Sequence, residues 1–263
     1  MPSDLSSRFA TIRAAKRKAL VPFLVAGYPS RERFREVLRT TAQFADVLEI
    51  GIPFSDPVAD GPTIQAASSK ALSSGVTLEN TFAELREHYP KDGPPLVFMI
   101  TYNQVLAAKH FIARCKEHGI TGLIVPDLPF EEAGEMRAQC EKAGIALVNM
   151  IAPTTSASRA REIAASAQGF IYLISVAGTT GARGEFAPET VEYIKRTRAL
   201  CRGDIYVAPK EIPLCVGFGI SKAAHIKQLH DHADGFIVGS ALVNAIDAGR
   251  ERELLAELRE TCD

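Results

Sequence analysis

Eight short apolar runs, each followed by a stretch with helical spacing, limit what this chain can fold into more than any other feature. VPFLVA (21–26) precedes Ser30 and a segment with Phe34, Val37, Leu38 and Thr41 on one face. DVLEIG (46–51) is followed by a long loop and a helix near 77–88. PLVFMIT (95–101) precedes a helix through Leu106, Phe111 and Cys115, and GLIVPD (122–127) precedes one carrying Ala133, Met136 and Cys140. IALVNMI (145–151) leads to a helix near 156–166, and GFIYLIS (169–175) to one near 187–199. PLCVGFG (213–219) precedes a helix opened by Ser221, and GFIVGS (235–240) precedes the closing helical segments. Strands that are apolar without alternation are buried on both faces, as in a parallel sheet covered by helices. An open doubly wound sheet has fewer strands and a Gly-rich first loop, but here the first strand ends in Gly27-Tyr28-Pro29 with no G-x-G-x-x-G. Eight such units in 263 residues predict an α/β fold, a closed (β/α)₈ TIM barrel. The helical spacing of Leu5, Phe9 and Ile12 adds an extra N-terminal helix. No linker or composition break divides the chain, so residues 1–263 are expected to form a single domain.

Composition narrows the function by exclusion. Thirty basic residues face thirty-one acidic ones, with a net charge of −1 and no long run of one sign. That argues against a nucleic-acid or membrane surface. The five cysteines are odd in number and scattered, with no C-x-x-C pair. Neither a disulfide framework nor a zinc site is expected, and the chain reads as a reduced, cytoplasmic protein. His230 and His232, beside Asp231 and Asp234, read as a solvated helix end rather than a metal site. The basic stretch from Arg13 to Lys18 ahead of ALVPFLVAG imitates a signal peptide. Its apolar run is short, contains Pro22 and continues into a turn rather than a cleavage site. Nothing approaches the ~20 apolar residues of a membrane span.

In such a barrel the active site is built at the carboxyl ends of the strands. Glu49 near the end of the second strand, Asp60 in the loop after it, and Tyr102-Asn103 after the third can meet there. So can Asp127 at the end of the fourth strand, Asn149 late in the fifth, and Tyr172 and Ser175 in the sixth. For Asp127 and Asn149 a capped turn is an equally good reading. Glu49 is different, because a carboxylate among Leu48, Ile50 and Ile52 is costly to desolvate unless it is paired or faces a polar cavity. Burial would raise its pKa, which suits a group that exchanges a proton near neutral pH. The opposite side of the mouth is rich in glycine, with Gly178 to Gly184 after strand six, Gly217-Phe218-Gly219 after strand seven and Gly239-Ser240 after strand eight. Loops after the last two strands, with a short helix N-terminus, form a recurrent phosphate site. A small phosphorylated substrate is therefore expected.

The stretch LEIGIPFSDPVADGPTIQ (48–65) resembles the signature of the tryptophan synthase α-subunit family, and every signature position from Leu48 to Gly61 agrees. The resemblance continues through VPFLVAGYP (21–29), Tyr102-Asn103, VPDLP (125–129), the loop from Ser175 to Gly181, VGFGIS (216–221) and IVGSALV (237–243). It implies a (β/α)₈ barrel that cleaves indole-3-glycerol phosphate to indole and glyceraldehyde 3-phosphate. It also implies a partner, a β subunit that carries pyridoxal phosphate and takes up the indole, in an α₂β₂ heterotetramer. No cofactor is then expected in this chain. Carried over by motif, Glu49 and Asp60 are the two catalytic carboxylates. Phe23 and Tyr102 line the indole pocket, and Tyr172 sits beside the carboxylates. Gly181, Phe218, Gly219, Gly239 and Ser240 bind the phosphate. Thr180 belongs to a loop that closes over the substrate, and Pro53 and Asp56 face the β subunit.

Three departures stand out against that family. Val176 takes a position where many members carry Arg, Gln104 replaces the Pro that commonly follows Tyr-Asn, and the segment from Cys201 to Ile212 is longer than usual. None removes a catalytic group. Two other readings stay open on the sequence: an activating subunit that has lost its own chemistry, and a stand-alone lyase that releases free indole.

Overall fold

The computed structural model describes residues 4–56, 60–174, 185–202, 212–217 and 219–263, with residue 202 described by its backbone alone. Eight strands carry the architecture: β1 (Ala19–Val25), β2 (Leu48–Gly51), β3 (Leu96–Met99), β4 (Ile120–Ile124), β5 (Ala146–Ile151), β6 (Ile171–Ile174), β7 (Leu214–Gly217) and β8 (Gly235–Val238). Each pairs in parallel with its sequence neighbours, and β8 returns to β1 through Ala19 opposite Gly235, so the sheet closes in the order β1 to β8. The (β/α)₈ expectation is met.

One helix precedes the first strand, and the others follow strands on the outside of the barrel. The helices are α1 (Leu5–Ala14), α2 (Arg31–Ala42), α3 (Pro62–Ser73), α4 (Leu78–His88), α5 (Tyr102–Ala107), α6 (Phe111–Glu117) and α7 (Gly134–Ala143), then α8 (Ala157–Ser166), α9 (Pro188–Arg202), α10 (Ala223–Leu229), α11 (Ser240–Asp247) and α12 (Glu251–Cys262). Helix α2 shows how the sequence specifies them. Ser30 caps it by accepting the Arg33 N–H, and Phe34, Val37, Leu38 and Thr41 form one buried stripe. The N-terminal helix α1, capped by Asp4, buries Leu5, Phe9 and Ile12. These three pack with Val21, Val97, Val148, Cys215 and Ile237 in the cluster that fills the barrel, apart from the larger cluster between sheet and helices.

Two sequence expectations need correction. The long loop expected after β2 contains α3. Its buried stripe is Ile64, Ala67, Ser68 and Ala71, spaced correctly but built of residues too small and polar to register as periodic hydrophobicity. Pro62 at its first turn is a favoured helix start that also resembles loop punctuation. The single helix expected through Leu106 and Cys115 is two, α5 and α6. Between them His110 adopts a left-handed conformation with φ of 55°, and Leu106 is left 67% exposed.

Opposite the mouth, Asp46 has a structural task. Its buried carboxylate accepts from the Leu20 N–H and is paired with Arg8, Arg17 and Arg259. A buried charge is stable only with such partners. This cluster joins the first and last helices to the start of β2.

Candidate active site

Glu49 lies in β2, opposite Phe23 of β1 and Val97 of β3. Val97 belongs to the cluster inside the barrel, and residues in register across neighbouring strands share a face, so Glu49 points inward. It is 0% exposed, and neither carboxylate oxygen has a hydrogen-bond partner among the described residues. Burial, with a smaller contribution from the charge of Asp60, pushes its pKa up to about 8. At neutral pH the side chain is therefore a carboxylic acid, a proton held in reserve.

Asp60 precedes Gly61, the residue that caps α3. Its carbonyl accepts from Gln65 Nε2 at 2.8 Å, which ties the end of the β2–α3 loop to the helix. Burial raises its pKa as well. Asp60 lines a cavity at the mouth together with Phe23, Gly51, Ile52, Phe54, Thr101 and Asp127. Tyr172 in β6 is buried and its phenol is pushed well above its ordinary pKa by burial and by the charges of Glu49 and Asp60. Two aromatic rings are seated over glycines: a Cβ at Gly51 would overlap Phe23, and one at Gly217 would overlap Tyr172. Those glycines make room for the rings, not for a special backbone angle.

On the far side, Gly239 sits against the Phe23 ring, with 3.5 Å to a Cβ placed there. It is followed by α11, which begins at Ser240 and has no side-chain cap on its first N–H groups. Gly219 is exposed with a φ of +82°. Thr180, Gly181 and Phe218, together with Val176, Ser175 and most of the 201–212 segment, lie outside the described residues.

The other expected positions are distributed more widely. Tyr102 opens α5 and borders an outer groove with Val105, Leu106 and Phe111, not the cavity that Phe23 lines. Its backbone N–H donates to Asp127 Oδ1 at 2.8 Å, so Asp127 is both a cavity wall and a turn cap. Pro53 is buried just before Phe54, and Asp56 is exposed with its carboxylate accepting from Ser55 Oγ. Asn149 does not join the mouth. Its neighbours Val148 and Met150 pack inside the barrel while Leu147 and Ile151 pack outside, and Asn149 shares the outer face, lining a cleft with Phe130, Thr155 and Arg159. Sequence reasoning missed Phe54, Ser68, Met99 and Thr101 as cavity walls. Only Thr101, a polar residue ending an apolar run, left a trace that could have been followed.

A parallel (β/α)₈ barrel with a protonated carboxyl and a second carboxylate at the carboxyl ends of its strands is the frame of an enzyme that moves protons on a small substrate. Comparison with known proteins narrows this. The family model described as tryptophan synthase alpha chain matches residues 9–263. A tryptophan synthase alpha chain from Methanocaldococcus jannaschii is 42% identical over 251 residues, covering 94% of this chain and 86% of the relative. One from Picosynechococcus is 38% identical, covering 99% and 97%. Among solved structures, a Mycobacterium tuberculosis tryptophan synthase chain superposes with a TM-score of 0.87 at 32% identity, covering 100% of this chain and 99% of the other. The Legionella pneumophila alpha chain gives 0.85 at 30%, covering 98% and 97%. The chain belongs to the tryptophan synthase alpha chain family, which cleaves indole-3-glycerol phosphate to indole and glyceraldehyde 3-phosphate in tryptophan biosynthesis.

Proposed function

We propose that Glu49 and Asp60 divide the work of this lyase reaction between them. Glu49, held as an acid, delivers its proton to C3 of the indole ring, which turns the ring into a leaving group. Positive charge then develops at the ring nitrogen, and the Asp60 carboxylate stabilises it through the N–H. Glu49, now a carboxylate, takes the proton of the hydroxyl on the side-chain carbon bonded to C3. The bond from C3 to that carbon breaks, its electron pair returns to the ring, and the carbon leaves as the aldehyde of glyceraldehyde 3-phosphate. Glu49 ends protonated, as it began. The observation that carries this assignment is the complete burial of Glu49 without a partner, at a pKa of about 8. Two carboxyl groups in unlike surroundings suit two unlike roles.

Phe23, which lines the cavity with Asp60, is assigned to the indole end, with Tyr172 behind the carboxylates. The phosphate is assigned to the late-strand glycines: Gly219, and Gly239 with Ser240 at the uncapped start of α11, joined by Thr180, Gly181 and Phe218. Backbone N–H groups at a helix start hold an anion without a cationic side chain. The chain acts as one domain in the reducing cytoplasm. It needs no cofactor of its own and works with a β subunit that carries pyridoxal phosphate, as an α₂β₂ heterotetramer docked through the loop of Pro53 and Asp56.

Asp60→Asn tests the division of labour, since an amide cannot offset charge on the ring nitrogen. Indole release should fall while titration calorimetry still shows substrate binding. Loss of binding itself would move Asp60 from chemistry to affinity.

A further inference from the structure

The ladder between β2 and β3 ends in a way that a plain parallel sheet does not. Gly51 is opposite Met99, and the Ile52 N–H donates to the Met99 carbonyl at 2.8 Å. In a parallel ladder the next bond would run from the Thr101 N–H back to Ile52. Instead that N–H turns to Gln104 Oε1, at 3.3 Å, which also accepts from Thr101 Oγ1 at 3.1 Å. The other end of the same carboxamide donates from Nε2 to the Pro53 carbonyl at 3.0 Å. One side-chain amide thus stands where a peptide group would, and carries the sheet one rung past the point where its strands diverge.

One anchor, Thr101, lines the cavity, and the other, Pro53, adjoins it. Pro53 lies between Ile52 and Phe54, and Thr101 faces them, all three lining the space that Asp60 also lines. Asp60, across the same cavity, is held by Gln65 through its carbonyl.

We propose that Gln104 is a positioning residue for the lyase reaction: its carboxamide fixes the distance between the β2 and β3 walls and thereby sets where Phe54, which shares the cavity with Asp60, stands against the indole ring. This inference rests on the assignment of Asp60 above. A misplaced wall costs rate rather than affinity when the phosphate grip lies across the mouth.

The test uses the full chain with a saturating β subunit, measuring indole release from indole-3-glycerol phosphate. Gln104→Glu keeps an acceptor for Thr101 but sets an oxygen against the Pro53 carbonyl. Its kcat should fall about tenfold, the scale of one hydrogen bond, with KM within about twofold of wild type. As pH falls towards about 4 the introduced carboxyl, ordinarily at about 4.3, protonates and regains a donor, so activity relative to wild type should recover. Gln104→Ala should lose kcat to a similar degree and show no such recovery. If Gln104→Glu does not fold, Gln104→Ala carries the split between kcat and KM. Wild-type kcat in either variant, a loss confined to KM, or a Gln104→Glu deficit that ignores pH would overturn the proposal. A wild-type chain that releases no indole would instead overturn the assignment on which it rests.

Discussion

Holding Glu49 protonated has a thermodynamic signature that needs no substrate. Its carboxyl moves from 4.5 to about 8 on folding because burial disfavours the charged form. At ~1.4 kcal/mol per pH unit that corresponds to roughly 5 kcal/mol, an upper figure because relaxation and entering water soften it. Between those two pKa values the folded chain binds more protons at this site than the unfolded chain does. The contribution is therefore fully present below about pH 4.5 and is lost as pH rises through about 8, the reverse of an ion-paired carboxylate. Glu49→Gln preserves the shape and cannot titrate. Urea unfolding of both proteins should show the variant gaining roughly 3 kcal/mol on wild type between about pH 5.5 and about pH 8.5, read from midpoints at constant m-value. Other titrating groups largely cancel in the difference. A difference that stays flat within ~1 kcal/mol would mean that Glu49 is already ionised in the folded protein at neutral pH, and the acid role would fail with it.

The Tyr172 ring lies where a Cβ on Gly217 would fall, so Gly217→Ala should cost ~1–3 kcal/mol by overpacking; unchanged thermal stability would show that the ring has another place to go. A sulfate or phosphate in a crystal should bind at Gly219, Gly239 and Ser240, and an anion found only on a remote Lys or Arg cluster would displace the proposed phosphate site. Adding a cognate β subunit should raise turnover at least about tenfold, or ~1.4 kcal/mol off the barrier, by favouring the catalytically competent state. Equal rates with a demonstrably bound partner would favour a stand-alone lyase.

The barrel was legible because its code is coarse. Eight doubly buried strands have few architectures open to them, and Phe34, Val37, Leu38 and Thr41 mark their helix unambiguously. Helix α3 escaped because Ala67, Ser68 and Ala71 bury little apolar surface each, while Pro62 looks the same at a helix start as in a loop. The break at His110 depends on one backbone angle that side-chain periodicity does not report. Glu49 was legible as a polar intruder in an apolar run. Asp46, in the same run, looked no different, yet three arginines brought in from distant elements make it structural. Asn149 failed by parity: one step along a strand separates the interior from the helix side. Gln104 was visible as a departure, but its contact with Pro53 joins residues 51 positions apart and is a product of the fold.

Whether one buried proton on Glu49 drives the cleavage is decided by the turnover of Glu49→Gln on indole-3-glycerol phosphate with a saturating β subunit. The amide fits the same space and has no acidic proton to give. Indole release should drop by roughly 10²–10⁴-fold, the range for loss of a general acid–base group, in a protein that still folds and still binds substrate. A folded variant keeping more than about a tenth of wild-type turnover would place the proton source elsewhere.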